Sequence, residues 1–95
     1  MESRTLDKKF YTYIILTQND KLYCGYTDSV EKRYKKHLEG TASKFTRANK
    51  PKEVVYVAEF ETKQEAMKEE YRIKHLSRLQ KNELIENNNS ANIKP

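Results

Sequence analysis

Two short aromatic and β-branched runs on either side of a polar turn constrain this chain more than any other feature. The first run is Phe10-Tyr11-Thr12-Tyr13-Ile14-Ile15-Leu16, the second is Leu22-Tyr23-Cys24-Gly25-Tyr26-Thr27, and Gln18-Asn19-Asp20-Lys21 lies between them. Such residues favour strands, and a polar turn between two such runs signals a β-hairpin. We expect strands over 10–17 and 21–27. Pairing about the turn brings positions near 13 and 23 roughly opposite each other. Alternation puts Tyr11, Tyr13 and Ile15 on one face. Paired tyrosines on a sheet are ordinary cross-strand packing, so any chemistry for them needs support from elsewhere in the chain.

The remaining elements follow from caps and periodicity. Asp28 as N-cap with Glu31 three residues on, and Gly40 as the stop, predict a helix over 29–39. Val30, Tyr34 and Leu38 form its expected buried stripe, with Arg33 and His37 as a second row at the border of the core. Residues 41–52 read as a basic loop in which Phe45 is either an apolar anchor or a base-stacking residue. Residues 53–60, Glu-Val-Val-Tyr-Val-Ala-Glu-Phe, are so continuously apolar that they read as the central strand. Thr62 with Glu65 starts a helix over 63–76, whose inward face carries Ala66, Ile73 and Leu76. Glu70 shares that face, where a carboxylate is costly unless paired, protonated or bound to a cation. It reads equally as a border glutamate, with Lys74 four residues on as an ordinary ion-pair partner. Ser77 with Gln80 starts a last helix over 78–86, with Leu79, Leu84 and Ile85 to pack it on.

Ninety-five residues make one small domain, with residues 1–9 a flexible start, 10–86 the folded unit and 87–95 a disordered tail. The single cysteine excludes an internal disulfide and a cysteine-based zinc site. No apolar run of about 18 residues spans a membrane, and the start Met1-Glu2-Ser3-Arg4-Thr5-Leu6-Asp7 lacks the apolar segment of a signal peptide, so a cytoplasmic location is expected. The net charge of +5 is unevenly spread. Residues 1–52 carry twelve Lys and Arg against six Asp and Glu, while residues 53–95 carry seven against eight. Lys32, Arg33, Lys35, Lys36, Lys44, Arg47, Lys50 and Lys52 crowd into 32–52 with Glu39 as the lone acid. Such a block is either a solvated face or a surface for a polyanion, most simply nucleic acid.

Taken together, these residues resemble the GIY-YIG nuclease domain, over roughly residues 10–86 and most closely its small stand-alone bacterial members. Tyr11-Thr12-Tyr13 stands at the first motif and Tyr23-Cys24-Gly25 at the second. Arg33 follows Tyr23 by ten residues like the family's helix arginine, and Glu70 matches its metal-binding glutamate. His37 falls where some members carry an active-site His or Tyr. Two departures stand out. Tyr11 and Thr12 replace the Gly and Ile of the family's name. Tyr26 stands where the excision-repair subunit of the family has a lysine.

The resemblance implies an α/β (α+β) fold, a three-stranded antiparallel sheet flanked by helices in the order β-β-α-β-α-α. It implies a Mg²⁺-dependent endonuclease acting on DNA, with Tyr13, Tyr23, Arg33, His37 and Glu70 as the catalytic set. Glu70 would hold the metal, which takes one or two carboxylates, waters and phosphate oxygens. Arg33 would fork onto phosphate oxygens, and Tyr23 would take a proton from water. Tyrosine ordinarily titrates at about 10, so that role needs a cation nearby. Tyr13 would position water or phosphate, and His37 would assist proton transfer. Lys36, Lys44, Phe45, Arg47, Lys50 and Lys74 are the expected nucleic-acid contacts. The alternatives are a nucleic-acid-binding module that does not cut, and a protein-interaction domain with a basic surface.

Overall fold

The computed structural model describes residues 8–93. Strand β1 (Phe10–Thr17), strand β2 (Leu22–Thr27), helix α1 (Val30–Glu39), a short helix α2 (Lys44–Ala48), strand β3 (Pro51–Phe60), helix α3 (Lys63–Lys74) and helix α4 (Arg78–Ile93) follow in that order. The sheet is antiparallel throughout, with strand order β2-β1-β3. This is the expected architecture, with one extra turn of helix inside the basic loop. Ser43 starts that turn by accepting the Thr46 N–H on its hydroxyl at 3.1 Å.

The central strand is β1, not the 53–60 segment. Thr12, Tyr13, Ile14 and Ile15 are consecutively buried, as in a strand covered on both faces. β3 begins two residues earlier than expected, at Pro51, and lies at the edge. Its Val57 and Glu59 face solvent while Tyr56 faces the core, so its apolar run reflects one covered face. A proline as first residue of an edge strand withholds no needed donor.

The two faces of β1 differ in chemistry. Ile14 packs with Cys24, Tyr56 and Ile73, and Val55, Ala58, Leu76, Leu84 and Ile85 close around them. This is the apolar core, covered by α3 and α4. Thr12 on the same face donates its hydroxyl to the Ala66 carbonyl at 2.7 Å, which ties α3 to the sheet. Tyr13 and Ile15 point the other way, toward α1 and α2. Capping boxes start both C-terminal helices as expected: Thr62 with Glu65, and Ser77 with Gln80. Gly40 ends α1 at φ 81°, a left-handed conformation that favours glycine.

Four expectations need correction. The N-cap of α1 is Ser29, whose hydroxyl accepts the Lys32 N–H, while Asp28 instead pairs with Lys8 at 3.2 Å. The stripe of α1 is rotated. Leu38 is 58% exposed, and the row of Arg33 and His37 faces the sheet. Leu79 is also exposed, leaving Leu84 and Ile85 to anchor α4. Finally, α4 continues to Ile93, because no glycine or proline interrupts 87–93, whereas a disordered tail was expected from 87. The flexible start expected over 1–9 lies, for residues 1–7, outside the described residues, as do residues 94–95 of the expected tail.

Candidate active site

Register places the site. Tyr13 pairs with Gly25 and Ile15 with Tyr23, so the two tyrosines sit one diagonal step apart on one face. Their ring centroids are 6.4 Å apart. The phenol of Tyr13 lies across Gly25. A Cβ on that glycine would stand 2.6 Å from the Tyr13 hydroxyl oxygen and 2.9 Å from its Cζ. Glycine in the Tyr23-Cys24-Gly25 segment therefore makes room for the tyrosine of the other strand.

Helix α1 then lays its Arg33–His37 row over the pair. His37 is 1% exposed and sits against both rings, at centroid distances of 5.8 Å from Tyr13 and 5.0 Å from Tyr23. Its Nε2 is 2.8 Å from the Tyr13 hydroxyl and its Nδ1 is 2.6 Å from the Thr46 hydroxyl. Burial first, and the Arg33 guanidinium second, lower the His37 pKa to about 4, so the ring is neutral at neutral pH. Burial also raises the pKa of Tyr13, helped by the neighbouring Tyr23, and its phenol stays protonated. Phe45 stacks on Tyr23 at 5.9 Å between centroids and 24° between planes. Its ring is thus an anchor on the aromatic pair.

Along the open edge of β2 runs a cleft of about 430 Å³. Tyr13, Tyr23, Arg33 and Glu70 all line it, brought together from two strands and two helices. His37 does not reach the cleft surface. It stands behind Tyr13, one hydrogen bond removed. The Glu70 side chain is 18% exposed, and its Oε2 accepts from Lys74 Nζ at 2.9 Å, the helical ion pair expected from the spacing. That bond holds the Lys74 ammonium above its ordinary pKa. Cys24, behind the cleft, is pushed up to about 12 by burial and then by Glu70, which leaves an inert thiol.

The expected nucleic-acid contacts divide. Lys36 and Lys44 are exposed, Lys74 is paired to Glu70, and Arg47 and Lys50 line a second cavity of about 270 Å³ beyond His37. Lys63 also lines the cleft and was not singled out by sequence, while Asp28 and Tyr26, noted there only as a cap and as a departure, line it too. Lys63 brings a second cation to the cleft that Tyr26 also lines. A signal existed. Lysine in the first turn of a helix opposes the helix dipole, so its presence after the Thr62 cap suggested a task other than stability.

Among the described residues, no group of three or more His, Cys, Asp or Glu is gathered for a metal. One carboxylate in a polar, open cleft does suit Mg²⁺, which keeps most of its water and takes few protein ligands. Lys74 Nζ engages Oε2 of Glu70 at 2.9 Å, and a cation in the cleft would share that carboxylate with it.

This sheet, with a tyrosine from each of two hairpin strands, an arginine from the next helix and a glutamate from a later one, defines a recognisable class. The chain belongs to the GIY-YIG family: the model of the GIY-YIG catalytic domain matches residues 9–83. Within it, the chain is similar to small bacterial proteins named UPF0213. It is 47% identical to one from Oceanobacillus iheyensis over 85% of this chain and 94% of that protein. It is 45% identical to one from Bacillus velezensis over 80% of this chain and 77% of that protein. The UPF0213 protein of Bacillus halodurans, solved by NMR in solution, superposes with a TM-score of 0.54 at 41% identity, covering 82% of this chain and 83% of that one. No helix among the described residues is long and apolar enough to cross a membrane, and the single cysteine is a free thiol.

Proposed function

We propose that this chain is a Mg²⁺-dependent endonuclease domain that hydrolyses phosphodiester bonds in DNA. The supporting observation is the convergence of Tyr13, Tyr23, Arg33 and Glu70 on one polar cleft. Hydrolysis of a phosphodiester needs a positioned water, a proton acceptor and cations for the charge growing on the phosphate. The phenol of Tyr13, pinned by His37 and kept protonated by burial, orients the water. Tyr23, as its phenolate, accepts the water's proton as attack begins and becomes the neutral phenol, with the Arg33 guanidinium sharing the cleft. Arg33 forks onto the non-bridging oxygens, and Lys63 adds a second positive charge from the α3 side. Glu70 would hold the Mg²⁺, which when bound supplies Lewis-acid neutralisation of phosphate charge. Lys44, Arg47 and Lys50 extend the positive surface beyond the cleft for the flanking strand.

One observation favours a second reading, a nucleic-acid-binding module that does not cut. Lys74 already neutralises Glu70, so a metal must compete with an ammonium for that carboxylate. Incubation of the protein with supercoiled, branched and single-stranded DNA, in Mg²⁺ or in EDTA, separates the two. The endonuclease reading expects Mg²⁺-dependent nicking that falls roughly 1,000-fold or more in Glu70→Gln, with DNA retention kept. Retention by the wild type without any nicking would establish the binding module.

A further inference from the structure

Behind Tyr13 runs a buried hydrogen-bond chain that ends at a half-exposed hydroxyl. The Tyr13 hydroxyl is 2.8 Å from His37 Nε2, His37 Nδ1 is 2.6 Å from Thr46 Oγ1, and Thr46 Oγ1 is 2.8 Å from Ser43 Oγ. Tyr13, His37 and Thr46 are each 1% exposed, while Ser43 is half-buried. Ser43 Oγ also accepts the backbone N–H of Thr46 as the cap of α2. A neutral imidazole donates from one nitrogen and accepts at the other, and a hydroxyl has one hydrogen to give. Two directions are therefore self-consistent along the chain, and they differ at its ends.

If the chain ran from Ser43 inward, Nε2–H would donate to Tyr13 and the phenol would have to place its own hydrogen elsewhere. Among the described residues, His37 is the only hydrogen-bond partner of that buried hydroxyl. If the chain runs outward, Tyr13 donates to Nε2, Nδ1–H donates to Thr46, and Thr46 donates to Ser43. The last hydrogen, on Ser43, then falls at the half-exposed end, where water can take it. Tyr13 is 1% exposed, so water reaches that hydrogen far less freely than it reaches the Ser43 end, and a hydrogen bond left unmade shifts such a balance on the order of 10- to 100-fold. We propose that Thr46, backed by Ser43, holds His37 in the Nδ1–H tautomer, so that Tyr13 donates inward and turns only lone pairs toward the cleft. Thr46 and Ser43 are thus positioning residues, acting through His37 on Tyr13. The depressed pKa of His37 keeps the ring in the neutral state that has tautomers.

The consequence for catalysis rests on the endonuclease reading. An acceptor-only Tyr13 can take an O–H of the attacking water but cannot donate to a phosphate oxygen. Phosphate binding then falls to Arg33 and Lys63, and Tyr13 serves the nucleophile alone.

The experiment is a long-range ¹H–¹⁵N correlation spectrum of the imidazoles in the ¹⁵N-labelled full chain at pH 7. The chain has two histidines, and His75→Asn, at an exposed site tilted against Tyr71, leaves His37 alone in the spectrum. The expected result is a protonated Nδ1 and a bare Nε2. Thr46→Val removes the acceptor while keeping the shape and is expected to move His37 toward Nε2–H. Thr46→Ser is expected to keep the wild-type pattern. In cleavage, Thr46→Val is expected to lower kcat roughly 10- to 100-fold with KM for DNA nearly unchanged, and Thr46→Ser to restore it. An Nε2–H tautomer in the wild type, or a Thr46→Val spectrum identical to wild type, overturns the inference. Should Thr46→Val fail to fold, the wild-type tautomer decides alone. Absence of cleavage with the Nδ1–H tautomer present overturns the endonuclease reading and leaves this one standing.

Discussion

The two faces of the central strand bury side chains by opposite means. On the α3 and α4 face, Ile14 and Ile73 are sealed among apolar neighbours, each such burial contributing about 1.5–3 kcal/mol. On the α1 and α2 face, the equally buried Tyr13, His37 and Thr46 are joined by hydrogen bonds, and each polar atom has a partner. A buried polar network contributes little net stability, because each bond replaces one to water, but it fixes geometry more tightly than apolar contact does. One face therefore holds the fold and the other holds a phenol in place, although adjacent residues of one strand build both.

That division can be tested from its strongest side first. Ile73→Ala should cost about 2–5 kcal/mol by urea unfolding, since it empties a site with no exposure. Cleavage per folded molecule should be unchanged, and a loss of cleavage beyond the unfolded fraction would mean that the faces are not separable. A pH dependence should come from the polar face. The pKa of His37 lies near 4 when folded, below the ordinary value of 6.5. The unfolded chain thus binds the proton more readily, and stability present above pH 6.5 is lost as pH falls toward 4. Between pH 7 and pH 4.5 this amounts to about 2 kcal/mol. Unfolding curves of His37→Asn should lack that portion of the decline. A slope identical to wild type would show that the ring is already charged in the fold. The smallest effect belongs to the outer surface of α2. Replacing Lys44 and Arg47 by alanine should weaken DNA retention on the order of 10-fold, alike on every sequence, and lower the salt slope by about two. Retention measured across a salt series checks it, and an unchanged slope would move the phosphate track away from α2.

Local signals in the sequence were strong wherever the physics is short-range. The hairpin, the Gly40 stop and the capping boxes at Thr62 and Ser77 depend on residues within a few positions of each other. Strand order depends on pairing between β1 and β3, some 40 residues apart, and apolar content alone favoured the wrong centre. The rotation of α1 was hidden for a different reason. A row of Arg33 and His37 reads as a border, and its inward turn shows only in the contacts of His37 with Tyr13, Tyr23 and Thr46, which no spacing along α1 reveals. Of the cleft residues, Tyr13, Tyr23, Arg33 and Glu70 were singled out through motif resemblance. Periodicity by itself leaves Glu70 at the edge of a stripe. Lys63 reaches the cleft only through the docking of α3 on the sheet, which no spacing along the chain encodes.

Placing the first strand at the centre of the sheet has a consequence in time. As the chain leaves the ribosome, β1 can pair at once with β2, but its other edge waits for Pro51–Phe60 to emerge. A lone two-stranded hairpin is marginal in water, and residues 10–17 are strongly apolar. The nascent protein thus carries an unpaired, sticky edge until Pro51–Phe60 emerges, with the basic 32–52 segment passing beside it. The same lysines and arginines that suit a polyanion keep neighbouring nascent chains apart until β3 arrives.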